Sequence, residues 1–190
     1  MQKSRKLAWI LAIGCASIAL ALIASHALGN FEPRPYTGPE FTPSSATAKL
    51  GENVAPFRLQ ELGGREITLG GPMRQPLLVH FWASWCAPCI AELPTYESAY
   101  PSLQSQGVRL VSIALDDRDH AEAIARRYGV TFPVLLAGDE EINPAVALGS
   151  KNGAVPFTVL LDTRGKVVFQ QFGTAGSVSN ILKWAHGASN

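Results

Sequence analysis

At 190 residues the chain has room for one ordinary domain and appendages. Sixteen Lys and Arg against fifteen Asp and Glu leave no basic field that would argue for a nucleic-acid partner. With 47% hydrophobic and 16% charged residues the composition is not that of a disordered chain, and three cysteines are too few for a disulfide-stapled scaffold.

The charge is spread unevenly. Lys3, Arg5 and Lys6 open the chain with no acid among them, and no Asp, Glu, Lys or Arg follows from Leu7 to Phe31. Leu7 to Leu28 is an apolar run of 22 residues interrupted only by small or weakly polar side chains. As a helix it would extend roughly 33 Å, enough for a hydrocarbon core of about 30 Å. The positive-inside rule keeps the basic start in the cytoplasm and sends the rest across the membrane, which in a bacterium is the periplasm. The expectation is a single-pass anchor in the inner membrane over residues 1–28. Two other readings stay open: signal cleavage after Ser25-His26-Ala27, and a lipoprotein-like Ala12-Ile13-Gly14-Cys15 with Cys15 acylated. Residues 29–50 carry Pro33, Pro35, Pro39 and Pro43 among Gly, Ser and Thr, and read as a linker. The folded domain is expected over 51–190.

Within it, Phe57-Leu59 and Ile67-Leu69 predict two short strands around Gly63-Gly64. The run Leu77–Trp82 predicts a strand covered on both faces. From Cys86 to about Gln104 the pattern is helical but interrupted by Pro94 and Pro101. Val108–Leu115 reads as a second buried strand, Arg118–Tyr128 as an amphipathic helix closed by Gly129, and Val134–Leu136 as a short strand. Phe157–Leu161 and Lys166–Phe172 flank an Asp162–Gly165 turn as a hairpin, and Val178–His186 closes the chain as a helix. Strands alternating with helices indicate a mixed α/β sandwich.

The chemistry concentrates in Trp85-Cys86-Ala87-Pro88-Cys89. Two cysteines three apart, directly after a buried strand and at a helix start, form a redox pair. The free N–H groups and dipole of that helix end favour a thiolate on Cys86. Cys89, one turn later, lies under it and can resolve a mixed disulfide, and Pro88 fits a first turn where its missing N–H costs nothing. A zinc site would need ligands that the sequence does not supply nearby, so no metal or other cofactor is expected.

This stretch resembles the active site of thioredoxin-like proteins, and specifically the TlpA/ResA-like membrane-anchored thiol–disulfide oxidoreductases, over roughly residues 51–185. Gly51–Phe57 resembles the family's entry segment, Trp85–Cys89 its redox motif, and Glu92-Leu93-Pro94 the acid and proline further along the helix. Val155-Pro156 resembles its cis-proline step; Pro133, which also precedes an apolar strand, is the competing candidate. The resemblance implies a thioredoxin-like fold with a mixed central sheet flanked by helices. It also implies a Pro156 loop against the cysteines, with the Val155 backbone able to pair with an extended substrate segment. It further implies a reductant of protein disulfides kept reduced by a membrane electron donor. The clients would be periplasmic proteins such as apocytochromes c or the copper-site cysteines of an oxidase.

Three side chains carry two readings each. Glu92 can take the Cys89 proton, or be an exposed helical glutamate. His80 stands where thioredoxin has a buried acid, and is either a proton relay or a hydrogen-bonded core residue. Trp85 can shield the cysteines and contact partners, or simply pack, whereas Trp82 is expected in the core. A different class of function, a Cu(I) metallochaperone using Cys86 and Cys89 as soft ligands, is weakened by the lack of a third nearby ligand. A peroxidase-like enzyme would not need the Cys89 partner.

Overall fold

The computed structural model describes residues 48–137 and 143–187. The predicted anchor over 1–28, with its alternatives at Cys15 and Ser25–Ala27, lies outside those residues, as does the linker up to Thr47. Among the described residues no helix is long and apolar enough to cross a membrane.

The sheet is organised around β3 (Leu77–Trp82), whose six side chains are all buried. A strand buried on both faces needs paired neighbours on both edges. One edge is met in parallel by β4 (Arg109–Ala114) and the other antiparallel by β6 (Phe157–Leu161). Beyond β4 lies β5 (Val134–Leu136), also parallel, and beyond it the antiparallel hairpin β1 (Phe57–Glu61) and β2 (Glu66–Leu69). Beyond β6 lies β7 (Val167–Phe172), so the order is β2-β1-β5-β4-β3-β6-β7.

Between β3 and β4 runs α1 (Ala87–Ser105), one helix of 19 residues. The sequence predicts an interruption at Pro94 and Pro101, and the structure corrects this. Both prolines face solvent, where the carbonyls they leave unpaired can turn to water, while Leu93, Tyr96, Ala99 and Leu103 hold the opposite stripe in the core. The helix α2 (Arg118–Arg127) links β4 to β5; Asp117 caps it by accepting from the His120 N–H, and Ala121 and Ala125 are its buried contacts. Two short elements were absent from the sequence reading. They are α3 (Pro144–Ala147), capped by Asn143 with Pro144 in its first turn, and a 3₁₀ turn over Lys151–Gly153. The terminal helix α4 (Val178–His186) packs on α1, with Ser177 as its cap.

The β6–β7 turn is fixed by Asp162, whose Oδ1 accepts the N–H groups of Arg164 and Lys166, both at 2.9 Å. Burial opposes ionisation there, but these hydrogen bonds and the Arg164 guanidinium hold the carboxyl below its ordinary range. Gly165 is left-handed and pressed against the Gly71 backbone, a place with no room for a Cβ. Ala48, ahead of the expected boundary at residue 51, is buried, and its N–H donates to the Ala147 carbonyl at 3.1 Å.

Candidate active site

Sheet register decides which loops meet. Trp82 pairs with Ala114, Phe81 with Phe157, and Phe157 with Phe172. The segments that follow Trp82 and Ala114, that precede Phe157 and that follow Phe172 therefore emerge at the same end of the sheet. Those segments carry the cysteine motif, Asp116, the Val155-Pro156 step and Ala175.

The loop from β3 into α1 is tied down from β4. Both the Ser84 N–H and the Ser84 hydroxyl donate to the Asp116 carboxylate, the hydroxyl at 2.9 Å, and the Cys86 N–H donates to the Ala83 carbonyl at 3.0 Å. Burial pushes the Asp116 carboxyl above its usual range, although both Ser84 hydrogen bonds favour its charge. Asp116 went unnoticed in the sequence. It is 32 residues from Ser84 and looks like one more acid before the α2 cap.

Cys86 occupies the N-cap of α1 and is joined to Cys89 by a disulfide, with Cα atoms 5.3 Å apart. Cys86 is 6% exposed and Cys89 fully buried, so a reagent reaches the pair from the Cys86 side. Trp85, next to it, is 44% exposed. A helix N-terminus presents its unpaired N–H groups toward the residue at its cap, which here is Cys86. The Val155–Pro156 bond is the cis peptide bond among the described residues. The Pro156 carbonyl accepts from the Gly173 N–H at 2.9 Å, whereas no hydrogen bond among the described residues engages the backbone of Val155.

Behind the disulfide lies a polar cluster. Glu92 is buried, not an exposed helical glutamate. Its Oε2 accepts the Ala175 N–H at 2.8 Å, which ties α1 to the segment before α4. Its Oε1 faces His80 Nε2 at 3.6 Å, too far for a hydrogen bond, and both atoms are buried without a partner. Burial pushes the Glu92 carboxyl up to about 7, with the Ala175 hydrogen bond acting the other way. Burial also pushes His80 down to about 3, so its imidazole is neutral.

His80 is the hydrogen-bonded core residue of the sequence reading, and more. Its Nδ1 lies 3.2 Å from Thr158 Oγ1, and its ring stacks on Tyr96 with centroids 4.1 Å apart. Tyr96 Oη in turn lies 2.6 Å from Thr158 Oγ1. Burial and then the Glu92 charge raise the Tyr96 phenol, so it stays protonated. Thr158 is paired with His80 across β3 and β6, and Tyr96 is one turn beyond Glu92. Helical spacing points to Tyr96; nothing local points to Thr158. Trp82 is in the core as expected, with Nε1 donating to Ser112 Oγ at 3.1 Å. Among the described residues no cluster of three His, Cys, Asp or Glu side chains is placed to hold a metal.

The comparisons with known proteins agree with this geometry. The model of the AhpC/TSA family matches residues 50–170. The thiol–disulfide oxidoreductase ResA of Geobacillus thermodenitrificans is 33% identical over 128 residues, 67% of this chain and 71% of that one. The crystal structure of StoA from Bacillus subtilis, 26% identical, aligns with a TM-score of 0.58 over 68% of this chain and 96% of StoA. A thioredoxin-family thiol:disulfide interchange protein from Chlorobium tepidum shares the fold, with a TM-score of 0.61 at 22% identity over 76% of this chain and all of that one. A Cys-x-x-Cys pair at the head of a helix, in a sheet of this order and with these relatives, means that the chain belongs to the thioredoxin-like AhpC/TSA family and is a thiol–disulfide oxidoreductase of the ResA type.

Proposed function

We propose that this oxidoreductase reduces protein disulfides on the periplasmic side of the inner membrane, held there by residues 1–28 and kept reduced by a membrane electron donor. Cys86 attacks the substrate disulfide, Cys89 resolves the mixed disulfide, and Glu92 takes the Cys89 proton. Trp85 and the Val155-Pro156 backbone contact the substrate. The clients are cysteine pairs in periplasmic proteins, of the kind found in apocytochromes c or in the copper site of an oxidase. The metallochaperone alternative gains no support from the ligands around the pair.

The observation that carries the reading is a Cys86 that keeps a 6% opening to solvent, backed by a fully buried Cys89 and by a buried carboxyl one turn further along the helix. It also bears on direction. A strong oxidant owes its potential to a stabilised thiolate in the reduced form. A carboxyl beside the pair disfavours thiolates, so the reduced form is left eager to give up its electrons. The test is to incubate a Cys89→Ala variant with a periplasmic extract and identify the proteins captured on Cys86. Captured cytochrome or oxidase-assembly proteins support the reading. Capture of none, or an equilibrium potential as oxidising as the strongest periplasmic oxidants, overturns it. An impermeant protease added to spheroplasts tests the topology, since full protection of the domain would refute it.

A further inference from the structure

The facing pair of unpartnered buried atoms, His80 Nε2 and Glu92 Oε1, demands an explanation, because each such group costs free energy comparable to a lost hydrogen bond. We propose that His80 is the hydrogen-bond partner of Glu92 in both protonation states of that carboxyl, and that its imidazole changes tautomer each time Glu92 gains or loses a proton. This rests on the reading above, in which Glu92 takes the Cys89 proton. A neutral imidazole has one donor and one acceptor nitrogen, so it can serve an acid or its conjugate base by exchanging them. A shift of about half an ångström closes the gap to hydrogen-bond distance.

Thr158 and Tyr96 make the exchange possible. When Glu92 is neutral, its O–H donates to Nε2, Nδ1–H donates to Thr158 Oγ1, and the Thr158 hydroxyl donates to Tyr96 Oη. When Glu92 is ionised, Nε2–H donates to Oε1, the Thr158 hydroxyl donates to Nδ1, and the Tyr96 hydroxyl donates to Thr158. The His80–Thr158 and Tyr96–Thr158 contacts exist in the structure, the Glu92–His80 contact needs only the half-ångström closure, and the 2.6 Å Tyr96–Thr158 contact allows either donor. Among the described residues the titratable groups in contact with the imidazole are Glu92 and Tyr96 of α1, with Cys89 one turn before Glu92. Burial keeps His80 from becoming an imidazolium, so the alternative of a fixed ion pair is disfavoured.

The step balances. Starting from the mixed disulfide, the Cys89 thiol passes its proton to the Glu92 carboxylate and its sulfur attacks Cys86 Sγ. The Cys86–Cys89 bond forms and the bond from Cys86 to the substrate sulfur breaks. The substrate cysteine leaves with the electron pair and takes a proton from water. The dithiol has lost two electrons, the substrate disulfide has gained them, and the hydrogen-bond chain from Glu92 to Tyr96 has reversed. Reduction of the pair by its donor returns the proton and restores the first direction. His80 is thus a positioning residue that acts through Glu92.

Nitrogen-15 NMR of histidine-labelled protein between about pH 5 and 9 reads the tautomer directly. The expected result is a neutral His80 that passes from Nδ1–H to Nε2–H as Glu92 titrates, and that is locked as Nδ1–H in a Glu92→Gln variant. A single tautomer across the range, an imidazolium, or an exchange that persists in Glu92→Gln overturns the proposal. A kinetic arm uses His80→Leu, which can neither donate nor accept, and His80→Gln, which can do both. The pH midpoint of the resolving step should rise by about one unit or more in the first and return toward wild type in the second. Equal midpoints in all three proteins refute the role. If Glu92→Gln leaves the resolving rate untouched, the assignment of the proton acceptor fails instead, and the tautomer exchange is judged by NMR alone.

Discussion

On the solvent side of the Cys86–Cys89 bond, geometry is set by main-chain contacts: a helix N-terminus, the Cys86–Ala83 hydrogen bond and a loop clasped by the Asp116 carboxylate. On the interior side the main chain contributes the Ala175 N–H that donates to Glu92 Oε2, and the rest is side chains. Side chains from α1, β3 and β6 form a buried polar chain with two atoms unpaired. The difference separates two tasks. Attack on a substrate needs an exposed sulfur with fixed amides around it, which backbone supplies at low cost. Release of the substrate needs a proton moved out of a dry place, which calls for titratable side chains whose pKa values burial has displaced.

Removing one sulfur at a time should have the largest effect. Cys86→Ala should lower turnover by at least about a thousandfold, because no nucleophile remains within reach of substrate. Cys89→Ala should keep the first exchange and stall at the mixed disulfide. In the reduced protein, iodoacetamide should modify Cys86 first at neutral pH, and faster modification of Cys89 would reverse the roles assigned to the two sides.

The next effect belongs to the interior. Glu92→Gln should slow the resolving step by about a hundredfold near neutral pH while leaving the first attack nearly unchanged. Stability gives an independent reading with a definite sign. Burial raises the Glu92 carboxyl from its ordinary 4.5 to about 7. Between those values the folded protein holds a proton that the unfolded chain has released, so stability falls as pH rises from about 4.5 through about 7. The total is of order 3 kcal/mol. Glu92→Gln carries no such term, so its denaturation midpoint should gain on the wild type as pH rises through that window. Parallel curves would show that Glu92 ionises as freely as on a surface.

The solvent side was the more legible of the two in the sequence. A six-residue apolar run, Cys-x-x-Cys, and Pro88 in the first turn are local signals, and each maps directly onto β3 or the head of α1. The order of strands and helices was legible for the same reason. The interior was legible only in part. Glu92 and His80 were singled out, but their meeting depends on how α1 lies across β3, and Thr158 reaches them through strand pairing at a separation of 78 residues. The prolines of α1 misled because a helix is broken by proline only when nothing else holds it, and here a buried stripe does. The four residues of α3 are too few to show a helical period, although Asn143-Pro144 is a legible start signal.

Substitution of Asp116 should loosen the outer side alone. Asp116→Ala leaves the Ser84 N–H and hydroxyl without their acceptor and should cost about 1–3 kcal/mol; Asp116→Asn keeps one acceptor oxygen and should cost less. The rate of Cys86 alkylation should change in both variants. The resolving step should keep its wild-type pH midpoint, because the Glu92–His80 chain shares no partner with Asp116. A shift of that midpoint would mean that the two sides are coupled through the motif loop.

The smallest effect is expected at Trp85, where stability and recognition separate. The residue is 44% exposed, so Trp85→Ala should alter unfolding free energy by less than about 0.5 kcal/mol. An exposed indole next to Cys86 gains most of its burial from a partner, not from the fold, and that gain is available only to a substrate large enough to cover it. With a protein disulfide, kcat/KM should therefore fall about three- to tenfold, an effect of roughly 1 kcal/mol on the encounter. With a small disulfide such as oxidised dithiothreitol, which reaches the sulfur without covering the ring, the rate should stay within about twofold. An equal loss with both substrates would mean that Trp85 shapes Cys86 itself, moving it from the recognition surface to the machinery that positions the nucleophile.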